Sequence, residues 1–271
     1  MMRFIPAAAV TAALLSVAGS ASANPKLLPY TYPYATLPKG GSELENYVDF
    51  TPTRAHSTTT GQPMTIGLFL FQTEYEYGIT DRLELGLYLQ ISPPVGEDYA
   101  SVATISAGTA VKQRLRLRLA EAGEWPVDVS LYGEIAEART EIELEFKLNL
   151  ERRLGRLSLM ANLVGEHEIY YDGRREWIAH PSGGAAYQVS PWLHTGLEYW
   201  MSAEFSATNP TTPRPFGFGP HHYLGPTALF NFGQIWWSLG AYFRMSDATR
   251  VQEPGDAYGH LWMRTIIGLS L

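Results

Sequence analysis

Apolar and polar residues alternate along three segments of the chain, at residues 82–91, 113–119 and 141–150. In the second segment, Leu115, Leu117 and Leu119 alternate with Arg114, Arg116 and Arg118. A period of two places the leucines on one face of a β-strand, whereas a helix would distribute them around its circumference. These segments therefore predict strands with one apolar face and one charged face. Weaker alternation runs through residues 65–78, 127–137, 157–171, 192–205, 234–245 and 258–271.

The connections between these segments alternate in length. Short ones, such as 78–81, are followed by longer polar ones, such as 51–63 and 206–220. Counting strands between the connections gives twelve, the first beginning near Glu43 and the last ending at Leu271. An even number of strands places both chain ends on the side of the short turns.

Closed membrane barrels combine an even strand number, alternating faces and connections of unequal length. Lipid cannot hydrogen-bond the backbone, so such a sheet must close on itself. The sequence thus predicts an all-β fold, a single antiparallel transmembrane β-barrel of about 12 strands with short periplasmic turns and longer extracellular loops. A secreted, soluble β-sandwich is the alternative, because its strands alternate too. Aromatic residues suited to the membrane interfaces lie near the predicted strand ends: Tyr75, Tyr77, Tyr170, Tyr171, Tyr199 and Phe243.

Two N-terminal segments differ from the predicted barrel. Residues 1–23 have the features of a secretory signal peptide, with a basic start, an apolar stretch and a small-residue cleavage pattern at Ala21 and Ala23. The alternative is an uncleaved membrane anchor, for which the apolar stretch is short. Residues 24–42 contain four prolines and three tyrosines, which predicts an extended arm. This arm is either a linker or a segment that packs its tyrosines inside or beneath the barrel of residues 43–271.

Composition and charge narrow the function classes. The chain of 271 residues has no cysteine, which excludes a disulfide scaffold, a thiolate zinc site and a catalytic thiol. Its net charge of −7 argues against nucleic acid as the main partner. Export and a barrel fold together predict location in the cell outer membrane. The expected partners are outer-membrane lipid and, during biogenesis, the barrel assembly machinery.

Residues 74–88 contain a Gly-Ile-Thr-Asp-Arg turn between two alternating segments. This hairpin resembles one that recurs in outer-membrane transporters, including the family named after the phenol-degradation meta pathway. Residues 37–40 (Leu-Pro-Lys-Gly) are similar to the start of the mature domain in related barrels, and Asp81 is expected to close a tight turn as an acceptor. The apolar end of the chain resembles the signal read by the assembly machinery, although Leu271 stands where that signal usually has Phe or Trp. The resemblance implies a barrel with a transport role.

If the leucine faces meet lipid, the opposite faces fill the lumen. The candidates for the lumen lining are Lys112, Arg114, Arg116, Arg118, Asp128, Glu134, Glu141, Glu143, Glu145, Glu166 and Glu168. Two hypotheses stay open for these residues. They either form a salt-bridge lattice that packs a narrow barrel, or set a basic ladder against an acidic wall across a polar pore.

Catalytic and metal-binding constellations have less support. His180 and Ser182 share a strand face, similar to the His-x-Ser element of outer-membrane phospholipases and lipid A deacylases. However, Gly183 follows where the phospholipases have Asn, and no acidic third member can be assigned. His221 and His222 are adjacent, so on a strand they point to opposite faces and cannot share a metal.

We therefore expect an outer-membrane barrel without cofactor or metal that is not an enzyme and passes an unidentified small solute as a channel or transporter. Two alternatives stay open. One is a barrel-embedded lipid hydrolase that uses His180 and Ser182, and the other is a closed structural or adhesive barrel.

Overall fold

A computed structural model describes residues 24–57, 59–92, 109–208, 220–246 and 259–271, so the expected signal peptide lies outside the described residues. None of the described residues belongs to a helix that is long and apolar enough to cross a membrane. The described strands are β1 (Ser42–His56), β2 (Pro63–Gly78), β3 (Leu83–Ile91), β4 (Thr109–Arg118), β5 (Asp128–Ala138), β6 (Glu141–Leu154), β7 (Leu157–Tyr170), β8 (Arg175–Ala179), β9 (Ser182–Ser190), β10 (Leu193–Thr208), β11 (His221–Asn231), β12 (Ile235–Arg244) and β13 (Leu261–Ser270).

All of these strands belong to one antiparallel sheet that closes on itself. The first strand pairs with the last, from Glu43 opposite Ser270 to Phe50 opposite Met263. Closure removes the sheet edges, so the backbone groups of the wall find partners inside the wall, as a hydrocarbon environment requires. The predicted all-β, antiparallel barrel is confirmed.

Strands β8 and β9 together occupy the place of one strand. Both pair with β7 on one side and with β10 on the other. Pro181, between them, has no N–H to continue the ladder. The wall nevertheless stays joined, because His180 N donates to Val164 O at 3.1 Å and Met201 N donates to Pro181 O at 3.0 Å. The barrel thus has the twelve strand positions that the alternation predicts.

The two ends of the barrel differ in their connections. At one end, β6 and β7 are joined by only two residues, and Gly155 adopts the left-handed φ of 62° that such a tight turn requires. Both ends of the wall lie here too, because Leu271 N donates to Ser42 O at 2.9 Å.

At the opposite end of the barrel, the prediction of a loop at residues 51–63 is wrong. The β1–β2 ladder continues to the pair His56–Pro63, which limits the connection to residues 57–62. Thr51 and Thr53 are buried on the inner face, so a polar sequence is compatible with a strand at these positions. Of the loop predicted at 206–220, residues up to Thr208 belong to β10, and 209–219 lie outside the described residues.

The outer surface of the barrel is apolar and the inner surface is polar. Exposed apolar side chains on the outer face include Leu87, Leu89, Leu115, Leu131, Ile135, Phe146, Leu163, Leu197 and Ile267. Among the aromatic residues predicted for the interfaces, Tyr75, Tyr77, Tyr171, Tyr199 and Phe243 are exposed. Tyr170 instead faces inward, where its hydroxyl donates to Glu168 at 2.5 Å. An apolar belt of this extent suits contact with lipid rather than water.

Substitutions on the outer face test whether it lies in lipid. Leu163 is exposed in the middle of β7, and Leu154 is exposed at the end of β6. In a bilayer, Leu163→Arg should lower the free energy of unfolding by about 2–4 kcal/mol, and Leu154→Arg by only about 0–1 kcal/mol, because the cost falls towards the interface. Urea titration of the refolded protein in lipid vesicles measures both. Equal costs at the two positions would contradict a lipid-facing belt.

Candidate functional site

The N-terminal arm, residues 24–41, runs inside the barrel. Leu28 is completely buried and packs against Met160 and Ala186 of the wall. Gly184 and Gly196 leave space for it, because a Cβ added at either glycine would lie 3.0 or 3.2 Å from a methyl group of Leu28. The wall is therefore shaped to hold this segment.

The arm belongs to no β-strand, so side chains of the wall supply hydrogen-bond partners for its backbone. Glu198 accepts hydrogen bonds from the backbone N–H groups of Tyr30, at 3.1 Å, and Thr31, at 2.6 Å. Asn162 binds Tyr32 twice, because its Oδ1 accepts from the tyrosine N at 2.6 Å and its Nδ2 donates to the tyrosine O at 3.0 Å. Buried backbone groups need such partners, so these wall residues fix the path of the arm.

The end of the arm is fixed at the β2–β3 turn. Glu84 Oε2 accepts from Leu37 N at 2.7 Å, and Asp81 Oδ1 accepts from Lys39 N at 3.0 Å. Thr80 closes the turn itself, since its Oγ1 accepts from Leu83 N at 2.9 Å. The role predicted for Asp81 is thus wrong, because its carboxylate binds the arm.

Lys26 is a charged residue of the arm that contacts carboxylates of the wall. Its Nζ contacts Glu45 and the hydroxyl of Tyr47, and it lies 3.3 Å from Glu74 Oε2 and 3.9 Å from Glu76 Oε1. Burial alone would lower the pKa of Lys26, but the carboxylates of Glu45 and Glu74 raise it above its ordinary value. The ammonium therefore stays charged inside the barrel.

Two arginines of β4 pair with the same group of buried glutamates. Arg114 lies 2.6 Å from Glu74 and 2.6 Å from Glu84, and it also contacts Glu76. Arg116 Nη2 lies 2.6 Å from Glu84 Oε1. Seven residues of the wall and the arm are joined by these contacts, and each is at most 1% exposed. We call them the ion network: Lys26, Glu45, Glu74, Glu76, Glu84, Arg114 and Arg116.

All eleven residues predicted for the lumen lie on inward positions of their strands. Five are buried: Arg114, Arg116, Asp128, Glu134 and Glu166. Six are partly buried: Lys112, Arg118, Glu141, Glu143, Glu145 and Glu168. The structure brings Lys112 together with Glu134, at 3.1 Å, and Glu143, at 3.4 Å.

Two predicted lumen residues lie apart from the others, near the short turns. Arg118 Nη2 is 3.1 Å from Glu121 Oε2, and Asp128 Oδ1 accepts from Gly123 N at 2.7 Å. Among the described residues, Asp128 therefore forms no ion pair with the arginines of β4.

The predicted lumen set does not include Lys26, Glu43 and Glu45. A signal for them is present in the β1–β2 hairpin, where Glu43 lies opposite Glu76 and Glu45 opposite Glu74. Like charges opposite one another are destabilising without a cation. Neither strand supplies that cation between these residues, so cations from elsewhere are required, and Lys26 and Arg114 supply them.

Among the described residues, two of the cavities lie in the lumen and share no lining residue. One, of about 320 Å³, lies on the far side of the arm from the short turns, and its lining includes Tyr30, Tyr132, Lys112, Glu143, Glu166, His180, Trp200 and Trp262. The other, of about 480 Å³, lies towards the short turns, and its lining includes Asn24, Thr36, Arg118, Glu151, Arg156 and His194. The arm separates them. The packed lattice and the polar space therefore occur at different levels of the same barrel.

His180 and Ser182 both line the first cavity rather than the lipid face. Thr31 Oγ1 donates to Ser182 Oγ at 3.0 Å, and His180 Nε2 lies 3.3 Å from Glu166 Oε2. The sequence assigns no acidic partner to His180, whereas the structure places Glu166 beside it. Ser182 is bound to the arm, and no hydrogen bond joins His180 to Ser182.

The adjacent histidines of β11 point to opposite faces. His221 is buried, with its Nδ1 at 2.7 Å from Arg244 Nη2, whereas His222 Nδ1 lies 2.6 Å from the hydroxyl of the outward-facing Tyr199. They cannot bind one metal ion together.

Solved structures with the same architecture are outer-membrane proteins. An outer membrane channel from Pseudomonas putida F1 matches with a TM-score of 0.56 and 14% identity, over 88% of this chain and 98% of that one. The NanC porin matches with a TM-score of 0.56 and 8% identity, over 84% of this chain and 100% of that one. No family model and no curated protein sequence matches the chain. The chain thus has the fold of an outer-membrane β-barrel.

Removing one arginine of the ion network should strand buried carboxylates. We expect Arg114→Met to lower the free energy of unfolding by about 3–5 kcal/mol, because an uncompensated buried charge remains. The matched variant Arg118→Met should cost only about 0–1 kcal/mol, since its partner Glu121 is half exposed. Urea titration of the refolded barrel measures the difference. Similar costs for both variants would place the Arg114 guanidinium in water.

Proposed function

We propose that the protein is an outer-membrane channel for a small solute and that its N-terminal arm closes the lumen. The observation that carries the proposal is the arm itself, which lies inside a wall that is already closed without it. Every contact between arm and wall is non-covalent, so the arm can be displaced while the barrel stays intact. The polar inner face and the two cavities supply a path on each side of it.

The alternative of a closed structural barrel accounts for the plug but not for the unfilled polar space on both sides. A barrel that needs only rigidity is more simply packed with apolar side chains, because buried ion pairs are weak contributors to stability. The proposal gives no catalytic role to His180 and Ser182. Ser182 is bound to the arm, and both residues open into the lumen rather than towards lipid.

The proposal also draws on two sequence features, the export signal and the resemblance to outer-membrane transporters. Cleavage of residues 1–23, delivery to the assembly machinery and insertion into outer-membrane lipid follow from the sequence pattern and the apolar belt. The resemblance of the 74–88 hairpin to transporters of the phenol-degradation meta pathway family supports a solute from outside the cell. In the fold this hairpin holds the end of the arm through Glu84 and Asp81, so it belongs to the closing device.

A reversible cross-link between arm and wall tests whether the arm moves. The natural chain has no cysteine, and Thr31 and Ser182 have hydroxyl oxygens 3.0 Å apart, so the pair Thr31→Cys and Ser182→Cys can form one defined disulfide. In planar bilayers, the oxidised double variant should lose the channel openings of the wild type and regain them on reduction. The two single variants are the controls, because neither can form the bond.

Three other results are informative. Openings that persist in the oxidised variant would mean that solute passes an arm that stays in place. A barrel that never conducts, even after removal of residues 24–36, would contradict the channel and favour the closed structural barrel. Release of fatty acid from added phospholipid, abolished by Ser182→Ala, would favour the lipid hydrolase.

A further inference from the structure

Glu43 is a buried carboxylate whose hydrogen-bond partners among the described residues are all uncharged. It is completely buried at the start of β1. The indole N–H of Trp236 donates to its Oε1, and its Oε2 accepts from Asn24 N at 3.1 Å and from Ser270 Oγ at 3.5 Å. An ionised carboxylate buried without a cation in direct contact is costly, so this position is suited to a positively charged donor.

The residues around Glu43 include more buried carboxylates than buried cations. Five completely buried glutamates lie at this level of the barrel, and they are Glu43, Glu45, Glu74, Glu76 and Glu84. The cations buried among them are three: Lys26, Arg114 and Arg116. Each of these cations pairs with glutamates of the ion network, and among the described residues none of the three forms an ion pair with Glu43.

Asn24, which donates to Glu43, directly follows the residue at which the sequence pattern predicts cleavage. Hydrolysis of the Ala23–Asn24 bond by a signal peptidase consumes one water, leaves a carboxylate on Ala23 and turns Asn24 N into an ammonium. Asn24 is held in place by its own side chain, whose Nδ2 donates to Ala35 O at 3.1 Å. The new positive charge therefore arises on the atom that already lies beside Glu43.

We propose that Glu43 is the binding site of the chain's own α-ammonium, and that cleavage after Ala23 creates the ion pair that fastens the arm in the barrel. The uncut chain offers Glu43 a single neutral N–H, whereas the cut chain offers a charged donor, and charge-assisted hydrogen bonds are the stronger ones. The arm is thus fastened at its free end by Asn24 and at its other end by Leu37 and Lys39. The pair concerns the seating of the arm and does not depend on conduction.

Amine reactivity tests the pair without any variant. A free α-amine has a pKa of about 8 and an ordinary lysine about 10.4, so an unpaired N-terminus is acylated faster than a lysine at neutral pH. In the folded barrel, a water-soluble acylating reagent should modify the α-amine of Asn24 more slowly than the exposed Lys39. In urea the order should reverse. An α-amine that reacts faster than Lys39 in the folded barrel would overturn the proposal.

A double-mutant cycle shows whether Glu43 is the partner. Four refolded proteins are compared, beginning at Asn24 or at Ala23, each with and without Glu43→Gln. One added residue displaces the ammonium, so the extension should lower the midpoint of thermal unfolding in the parent and have little further effect beside Glu43→Gln. Equal shifts in both backgrounds would overturn the pairing. If Glu43→Gln does not fold, the labelling rates of the two remaining proteins decide, because the extended chain should react faster. Neither measurement involves conductance, so failure of the channel proposal would be seen separately.

Discussion

Charge that cannot reach water is the constraint on which the rest of this barrel depends. The alternation that gives lipid an apolar surface puts charged residues such as Glu74, Glu84 and Arg114 inside, where the lumen of a twelve-strand barrel is too narrow to hydrate them. Each buried carboxylate therefore needs a cation or several N–H donors. Arg114 and Arg116 supply part of this need from the wall, and the arm supplies a further part through Lys26 and its backbone N–H groups.

This requirement explains why the arm is well defined although it belongs to no strand. Its prolines keep it extended and unpaired, and its free N–H groups face acceptors such as Glu198 and Asn162. Glycines opposite Leu28 and Arg114 remove side-chain volume where the arm or an arginine comes close to the wall. Gly86 is the sharpest case, because a Cβ there would lie 2.5 Å from Arg114 Nε. The wall and the arm are therefore complementary in charge and in shape.

The strands were predictable from the sequence because they depend on a local period. Leucine at every second position can only face one side, and register with the neighbouring strand preserves the two faces. The extent of β1 and β2 was not predictable, because threonine is as common in polar loops as in strands. The side-chain contacts inside the lumen could not be predicted from local sequence patterns either. Arg114 meets Glu74 and Glu84 from β2 and β3, and Lys26 meets residues that are adjacent only after the hairpin has formed.

The closing seam has a consequence for the order of assembly. The strands that form it, β1 and β13, are the first and the last to be synthesised, so the wall cannot close before the last strand is available. The arm contacts β1, β3, β7 and β10 and is enclosed on all sides once the seam is made. An arm laid on the concave face of the open sheet breaks no contact, whereas an arm threaded later must enter a space that only it fills. On the first route the seam closes over an arm already in place, and the enclosed arm is then a product of folding order rather than an addition to a finished barrel.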